Sequence, residues 1–263
     1  MRALLLALLL SLAPAVARAD CTVLADAASG RVLHREGEDC GRRTSPASSF
    51  KLPLAVMGFD AGILAGPHAP VWPYKPEYRA WRESWKADID PTSWMRESVV
   101  WYSQELTRAI GMARFQAYVD GFGYGNRDLT GEPGKGDGLT RAWLGTSLEV
   151  TPLEQVDFLR RLVAGELPAS KEAQRLAMEV MPRLELPGGW AARGKTGTGL
   201  RRGADGKETD RQFGWYVGWA DKDGRRVLFV RLVSDLPRSA GIGGFHARDT
   251  LAADWPRLAA ALR

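Results

Sequence analysis

The sequence predicts an α+β fold: an antiparallel sheet built from both chain ends, flanked by helices, with an inserted mostly helical lobe. Three observations predict it. Strand-like runs occur near the start, at 22–25 and 31–34, and again near the end, at 213–220 and 227–233. The long stretch between them, roughly 67–187, carries helical patterns separated by loops. Strands and helices do not alternate as a βαβ chain would require.

Taken in order, residues 1–19 carry Arg2, a run of Leu and Ala, and an Ala17-Arg18-Ala19 ending. That is the pattern of a secretory signal peptide, cut after Ala19 so that the mature chain starts at Asp20. Export to the periplasm is therefore expected, and residues 20–263 are expected to form a single catalytic domain. The formal net charge of +5 falls by two when Arg2 and Arg18 leave. So mild a basicity gives no case for nucleic acid as a partner. No later run approaches the roughly 18 continuous apolar residues of a membrane span, so no membrane anchor is expected. At 45% hydrophobic and 25% charged the composition is that of a globular protein, which excludes disorder, collagen and coiled coil. The sequence leaves the oligomeric state open.

The 22–25 and 31–34 strands are joined by Asp26-Ala27-Ala28-Ser29-Gly30, a turn that brings Cys21 and Cys40 together. Export favours a disulfide between them, and closing such a loop contributes on the order of 3 kcal/mol. A lipid-anchored Cys21 is the rival reading, but Asp20 is a poor residue to precede it. Ser45-Pro46 opens the next helix, with Ser as cap and Pro at the first position. Pro53 within it predicts a kink or a tightening. Helices follow over 98–110, 113–121, 152–164 and 170–181, the last between a serine cap and Pro182. From Gly194 the character turns to strand. Asp221-Lys222-Asp223-Gly224 marks a hairpin, and 247–262 reads as a final helix crossed by Pro256.

Three histidines, His34, His68 and His246, show no metal-ligand spacing, and two cysteines cannot build a thiolate zinc site. His34 and His68 read as surface residues. What stands out is Ser48-Ser49-Phe50-Lys51. Serine and lysine at i and i+3 of a helix share one face, close enough to exchange a proton. The lysine serves as a base only if burial keeps it neutral, and Phe50, Leu52 and Leu54 supply that burial. Lys195-Thr196-Gly197 places a cation and a hydroxyl on a strand, with a glycine that lets a substrate lie close. Ser98-Val99-Val100, read as a helix start, offers a hydroxyl to relay a proton beside a branched apolar wall.

These three elements, in this order, resemble those of the class D (OXA-type) serine β-lactamases, within the β-lactamase/transpeptidase-like fold of penicillin-recognising enzymes. The resemblance covers essentially the whole mature chain. It extends to Tyr124-Gly125-Asn126, to Trp143-Leu144 ahead of Ser147-Leu148, to Thr151-Pro152-Leu153-Glu154-Gln155, and to the 213–219 run after Lys195-Thr196-Gly197. It implies hydrolysis of a small-molecule β-lactam through an acyl-serine on Ser48. Lys51 would be the general base, carbamylated by CO2 or bicarbonate (an N6-carboxylysine), with no other cofactor and no metal. The Trp143 indole would donate to that carbamate, and Val100 and Leu144 would wall it in. Ser98 would pass a proton to the leaving nitrogen with help from Lys195. The amides of Ser48 and Thr198 would form an oxyanion hole, Thr196 would bind the substrate carboxylate, and Gly197 would let the substrate lie close.

The sequence departs from the family pattern at three places. Ser49 stands where the family usually has Thr, and Gly145 where an acidic residue often follows Trp-Leu. The arginine that clamps the substrate carboxylate is expected between the last strand and the final helix. His246 falls at that spot here, with Arg248 two residues on, and imidazole is a poor substitute for a bidentate guanidinium. Trp143 also reads as an ordinary core tryptophan, Tyr124-Gly125-Asn126 as a turn, and Trp215 and Trp219 as sheet packing. The rival function is a penicillin-sensor domain, acylated without release. A membrane tether would be expected for it, and turnover separates the two. A small peptidoglycan peptidase is a third possibility, disfavoured because no additional domain is evident.

Overall fold

A computed structural model describes residues 20–203 and 205–262, so the 1–19 segment read as a signal peptide lies outside the described residues. Both chain ends do build one antiparallel sheet. β1 (Cys21–Asp26) pairs with β2 (Val32–Glu36) on one side and with β6 (Arg225–Pro237) on the other. β5 (Glu208–Lys222), β4 (Trp190–Arg202) and β3 (Arg183–Leu186) follow, giving the order β2-β1-β6-β5-β4-β3. The β5–β6 connection is the two-residue turn Asp223-Gly224, which sits inside the hairpin signal read from the sequence.

Successive strand side chains point to opposite faces, and each face is covered. On one, α8 (Gly243–Ala260) packs Ala247, Leu251, Trp255 and Leu258 against Tyr216 and Phe229. On the other lies the helical lobe: α1 (Lys51–Asp60), α2 (Pro91–Glu97), α3 (Val100–Ile110), α4 (Met112–Phe122), α5 (Gly138–Arg141), α6 (Pro152–Val163) and α7 (Lys171–Glu179). Its aromatic side chains merge with Trp215 and Trp219 in a single core, so both strand tryptophans pack as expected. Cys21 and Cys40 are bonded and fully buried, with Cα atoms 5.0 Å apart.

The caps explain the helix starts. Thr151 and Glu154 form a reciprocal capping box ahead of α6 with Pro152 in its first turn, and Ser170 accepts from the Ala173 amide at the start of α7. Four expectations shift. The helix expected from Ser45-Pro46 is preceded by a tight 3-10 turn, Ala47–Phe50, and α1 runs on from Lys51. Pro53 sits in the first turn of α1, where no amide has an intrahelical partner to lose, so the tightening precedes it. Ser98 does not start a helix: it closes α2 in the left-handed conformation (φ 61°), and α3 begins at Val100. That α2 had its own signal, Asp90-Pro91 with Ser93 three positions on, and these form a capping box. Finally, β3 falls inside the stretch read as mostly helical. Four residues are too few to show a period, and β3 is held by pairing with β4.

Candidate active site

The Ser48–Lys51 pair lies where the 3-10 turn runs into α1. Lys51 Nζ donates to Ser48 Oγ at 3.2 Å, and the lysine is fully buried while Ser48 is half-buried and reachable. The turn is strained, since Ala47, immediately before the serine, has φ 47°. It is held from below by Ser45, whose Oγ donates to the Trp143 carbonyl (2.8 Å) and accepts from the Gly145 amide (2.9 Å). The Trp215 indole donates to the Ser45 carbonyl at 2.9 Å. Ser49 turns away from Lys51. Its hydroxyl donates to the Pro46 carbonyl and accepts from Gln155 Nε2. Threonine's extra methyl is not needed for either bond.

Alternation along β4 places Lys195 and Gly197 opposite Val217 and Trp215, on the face of the helical lobe. Lys195, nearly fully buried, donates to Ser98 Oγ and to the Thr196 carbonyl, both at 3.0 Å. Gly197 passes so close to the Ser48 turn that an added Cβ would sit 2.8 Å from the Pro46 carbonyl oxygen and 3.0 Å from the Ser49 amide. No other residue permits that approach without moving β4. Thr198, on the opposite face, accepts from the Gly244 amide at the start of α8 (2.8 Å).

Aromatic rings close the pocket. Phe50, next to Lys51, stacks on Trp143 with centroids 5.7 Å apart and packs on Tyr124 and Phe115. Val100 is buried and Leu144 partly so. Within this apolar enclosure the Trp143 indole nitrogen is buried without any hydrogen-bond partner, an expensive state for a donor. Tyr124-Gly125-Asn126 braces the loop that carries Trp143. Asn126 donates to the Ser147 carbonyl (2.8 Å) and accepts from the Glu149 amide (3.0 Å). Gly125, at φ 57°, lies where a Cβ would meet the Glu149 carbonyl oxygen at 2.1 Å. The turn reading of this motif therefore accounts for the contacts of Asn126 and Gly125.

Burial, then the charge of Lys195, holds the Lys51 amine well below the usual 10.5. Burial, then the charge of Arg82, brings Lys195 down to about 7. Folding therefore expels protons from both. The resulting penalty is absent above the unfolded-state value, grows as pH falls from about 10.5 toward 7, and is constant below the folded value. Wild type minus Lys195→Met, compared by urea unfolding at pH 7 and 9.5, should gain about 1–3 kcal/mol of stability with rising pH. A flat difference would show that Lys195 is hydrated. Above that window the buried hydroxyls of Tyr102, Tyr124 and Tyr216, held above their usual range by burial, act in the opposite direction.

Not all sequence-derived positions converge. His246 shares a small hollow with Arg231, Thr250 and Asp254 and with none of the Ser48 cluster. Arg248 pairs with Asp249 (2.8 Å) and lies over the Phe245 ring. His34 is half-buried beside Glu36, and His68 is exposed and pairs with Asp90. No group of His, Cys, Asp and Glu suited to a metal ion occurs among the described residues. Sequence reasoning read Ser45 only as a helix cap, which it is not, and Gln155 only as part of a motif; their bonds cross the fold and leave no local pattern.

A serine–lysine pair at the foot of a buried helix, faced by a second lysine on a strand edge, defines a penicillin-recognising serine enzyme site. Residues 20–254 match the family described as the penicillin binding protein transpeptidase domain. The chain belongs to that family and, within it, to the class D β-lactamases. It is 47% identical over 240 residues to β-lactamase OXA-9 of Klebsiella pneumoniae, covering 90% of this chain and 87% of the relative. To β-lactamase OXA-1 of Escherichia coli it is 34% identical, covering 80% and 74%. The crystal structure of the OXA-427 class D β-lactamase superposes with a TM-score of 0.86 at 42% identity, over 93% of this chain and all of the other.

Proposed function

We propose that this protein hydrolyses β-lactams through an acyl-enzyme on Ser48, with Lys51 as the base for both acylation and deacylation. The observation that carries this reading is a fully buried amine 3.2 Å from the only partly buried serine hydroxyl. A serine in water is a poor nucleophile, and a neutral amine at this distance takes its proton as the lactam carbonyl is attacked. The backbone amides of Ser48 and Thr198 would receive the charge that develops on the carbonyl oxygen, each contributing roughly 3–4 kcal/mol in comparable sites. The Ser98 hydroxyl, hydrogen-bonded to Lys195, then protonates the leaving nitrogen. Thr196 would hold the substrate carboxylate at the strand edge.

The pocket also fits a carbamate on Lys51. Only a neutral amine captures CO2, and the anion formed needs a donor in apolar surroundings. The unpartnered Trp143 indole N–H is such a donor, with Val100 and Leu144 as walls. The carbamate would supply an anionic base to the site. Export to an oxidising compartment fits the buried Cys21–Cys40 disulfide, and no helix among the described residues is long and apolar enough to cross a membrane.

The test is acid quenching of the protein during nitrocefin turnover, followed by mass mapping. The expected result is an adduct on the Ser48 peptide that disappears as substrate runs out, with turnover stimulated by bicarbonate and indifferent to EDTA. An adduct that persists would make this a sensor. An adduct on another residue would refute the assignment of Ser48.

A further inference from the structure

At the spot where the family pattern expects an arginine this chain has His246, with Arg248 two residues on. His246 turns into a separate hollow, and the Arg248 guanidinium is already engaged by Asp249. A different arginine stands at the cleft instead. Arg82 immediately precedes a 3-10 turn, Glu83–Trp85, in the helical lobe. Buried Trp85 pins that turn: its indole donates to the Glu97 carbonyl, next to Ser98, and its own carbonyl accepts from the Trp101 indole, both at 3.0 Å. From this anchored turn the Arg82 guanidinium reaches across to lie over the Phe245 ring, 5.7 Å from its centroid. Phe245 follows Gly244, whose amide donates to Thr198. Arg82 therefore bridges the two walls of the cleft, from the Ser98 side to the Thr198 side.

Its charge is unspent. Among the described residues no ion pair joins Arg82 to a carboxylate, and its neighbour Glu83 pairs with Lys86 at 2.9 Å. The same charge is felt at Lys195, where it adds to burial in disfavouring the ammonium form. An arginine that depresses a neighbouring lysine stands in a locally positive field that an incoming anion would relieve. Arg248 lies over the same ring with its centre 4.8 Å from the centroid, so Phe245 is held between two guanidinium groups.

We propose that Arg82, reaching over from the helical lobe, is the guanidinium that binds the substrate's carboxylate, while Arg248 serves to seat Phe245. This inference rests on the Ser48-centred reading above. It assigns a substrate-binding role to a residue outside every motif of the sequence. It also makes the Trp81–Trp85 turn, with its two indoles tilted against each other 5.4 Å apart, a determinant of specificity for anionic β-lactams.

The experiment uses the mature protein, a carboxylate-bearing cephalosporin and its methyl ester, comparing wild type with Arg82→Ala, Arg82→Lys and Arg248→Ala. Arg82→Ala should lower kcat/KM for the acid at least about tenfold, mainly through KM, and so collapse the acid-over-ester preference. Arg82→Lys should recover part of it, since a point charge replaces a bidentate fork. Arg248→Ala should keep the preference within about threefold, having lost only a surface pair and a ring contact. If Arg82→Ala keeps the preference while the wild type acylates Ser48 normally, the inference fails alone. It fails equally if Arg248→Ala is the variant that collapses it. A wild type that acylates on Ser48 with neither compound overturns the Ser48 reading and this inference together.

Discussion

Lys51→Ala is expected to leave a protein that still folds and binds penicillins but turns over about 10²–10⁴-fold more slowly, the usual contribution of a positioned base. The variant removes the amine that donates to the Ser48 hydroxyl from inside the pocket. Acylation by a strained, electrophilic lactam tolerates that loss better than attack of water on the resulting ester. The adduct should therefore accumulate slowly to one equivalent and stall, visible by intact mass hours after substrate is exhausted. In the wild type, activity should fall as pH drops through the value at which the Lys51 amine takes up a proton. That value lies well below 10.5 because burial, followed by the charge of Lys195, disfavours the ammonium. Turnover of Lys51→Ala within tenfold of wild type would remove Lys51 from the mechanism.

Trp143→Phe separates a packing role from a chemical one. The stacking on Phe50 and the edge-to-face contact with Phe115 are partly kept, while the buried, unpartnered indole N–H is deleted together with the rest of its ring. For a donor of no chemical use the change should only cost stability through the cavity it leaves, offset in part by loss of an unsatisfied buried group, and the bicarbonate requirement should not move. For a donor to a lysine carbamate, the bicarbonate concentration giving half-maximal activity should rise about tenfold to a hundredfold, the value of a hydrogen bond to a charged group. Saturating bicarbonate should restore much of the rate. An unchanged bicarbonate requirement, with a lowered thermal midpoint, would reduce Trp143 to a core residue.

How much of this was legible beforehand depended on distance along the chain. The Ser48–Lys51 pair, the capping signals around Pro152 and Ser170, and the hairpin that brings Cys21 to Cys40 each span a few to some twenty residues, so spacing alone disclosed them. Ser98 shows the limit. The sequence announces a hydroxyl beside Val99-Val100, but the left-handed turn that aims it at Lys195 depends on Trp94. The Trp94 carbonyl accepts from the Ser98 and Val99 amides and its indole donates to Ser103. Asn126 illustrates the converse. Its motif belongs to the family resemblance, yet its amide is consumed in holding backbone at Ser147 and Glu149.

The order of residues by itself determined the sheet built from both ends, the buried lysine one turn from a serine, and the strand lysine with its glycine, because each follows from local periodicity or from chemistry within a few positions. Only the tertiary structure decided which arginine stands at the cleft. Arg82 and Phe245 are 163 positions apart by their numbering and meet because a buried tryptophan anchors one and the end of a helix presents the other. A guanidinium acts through space over several ångströms, and what lies within that reach is set by packing, which no short stretch of sequence records.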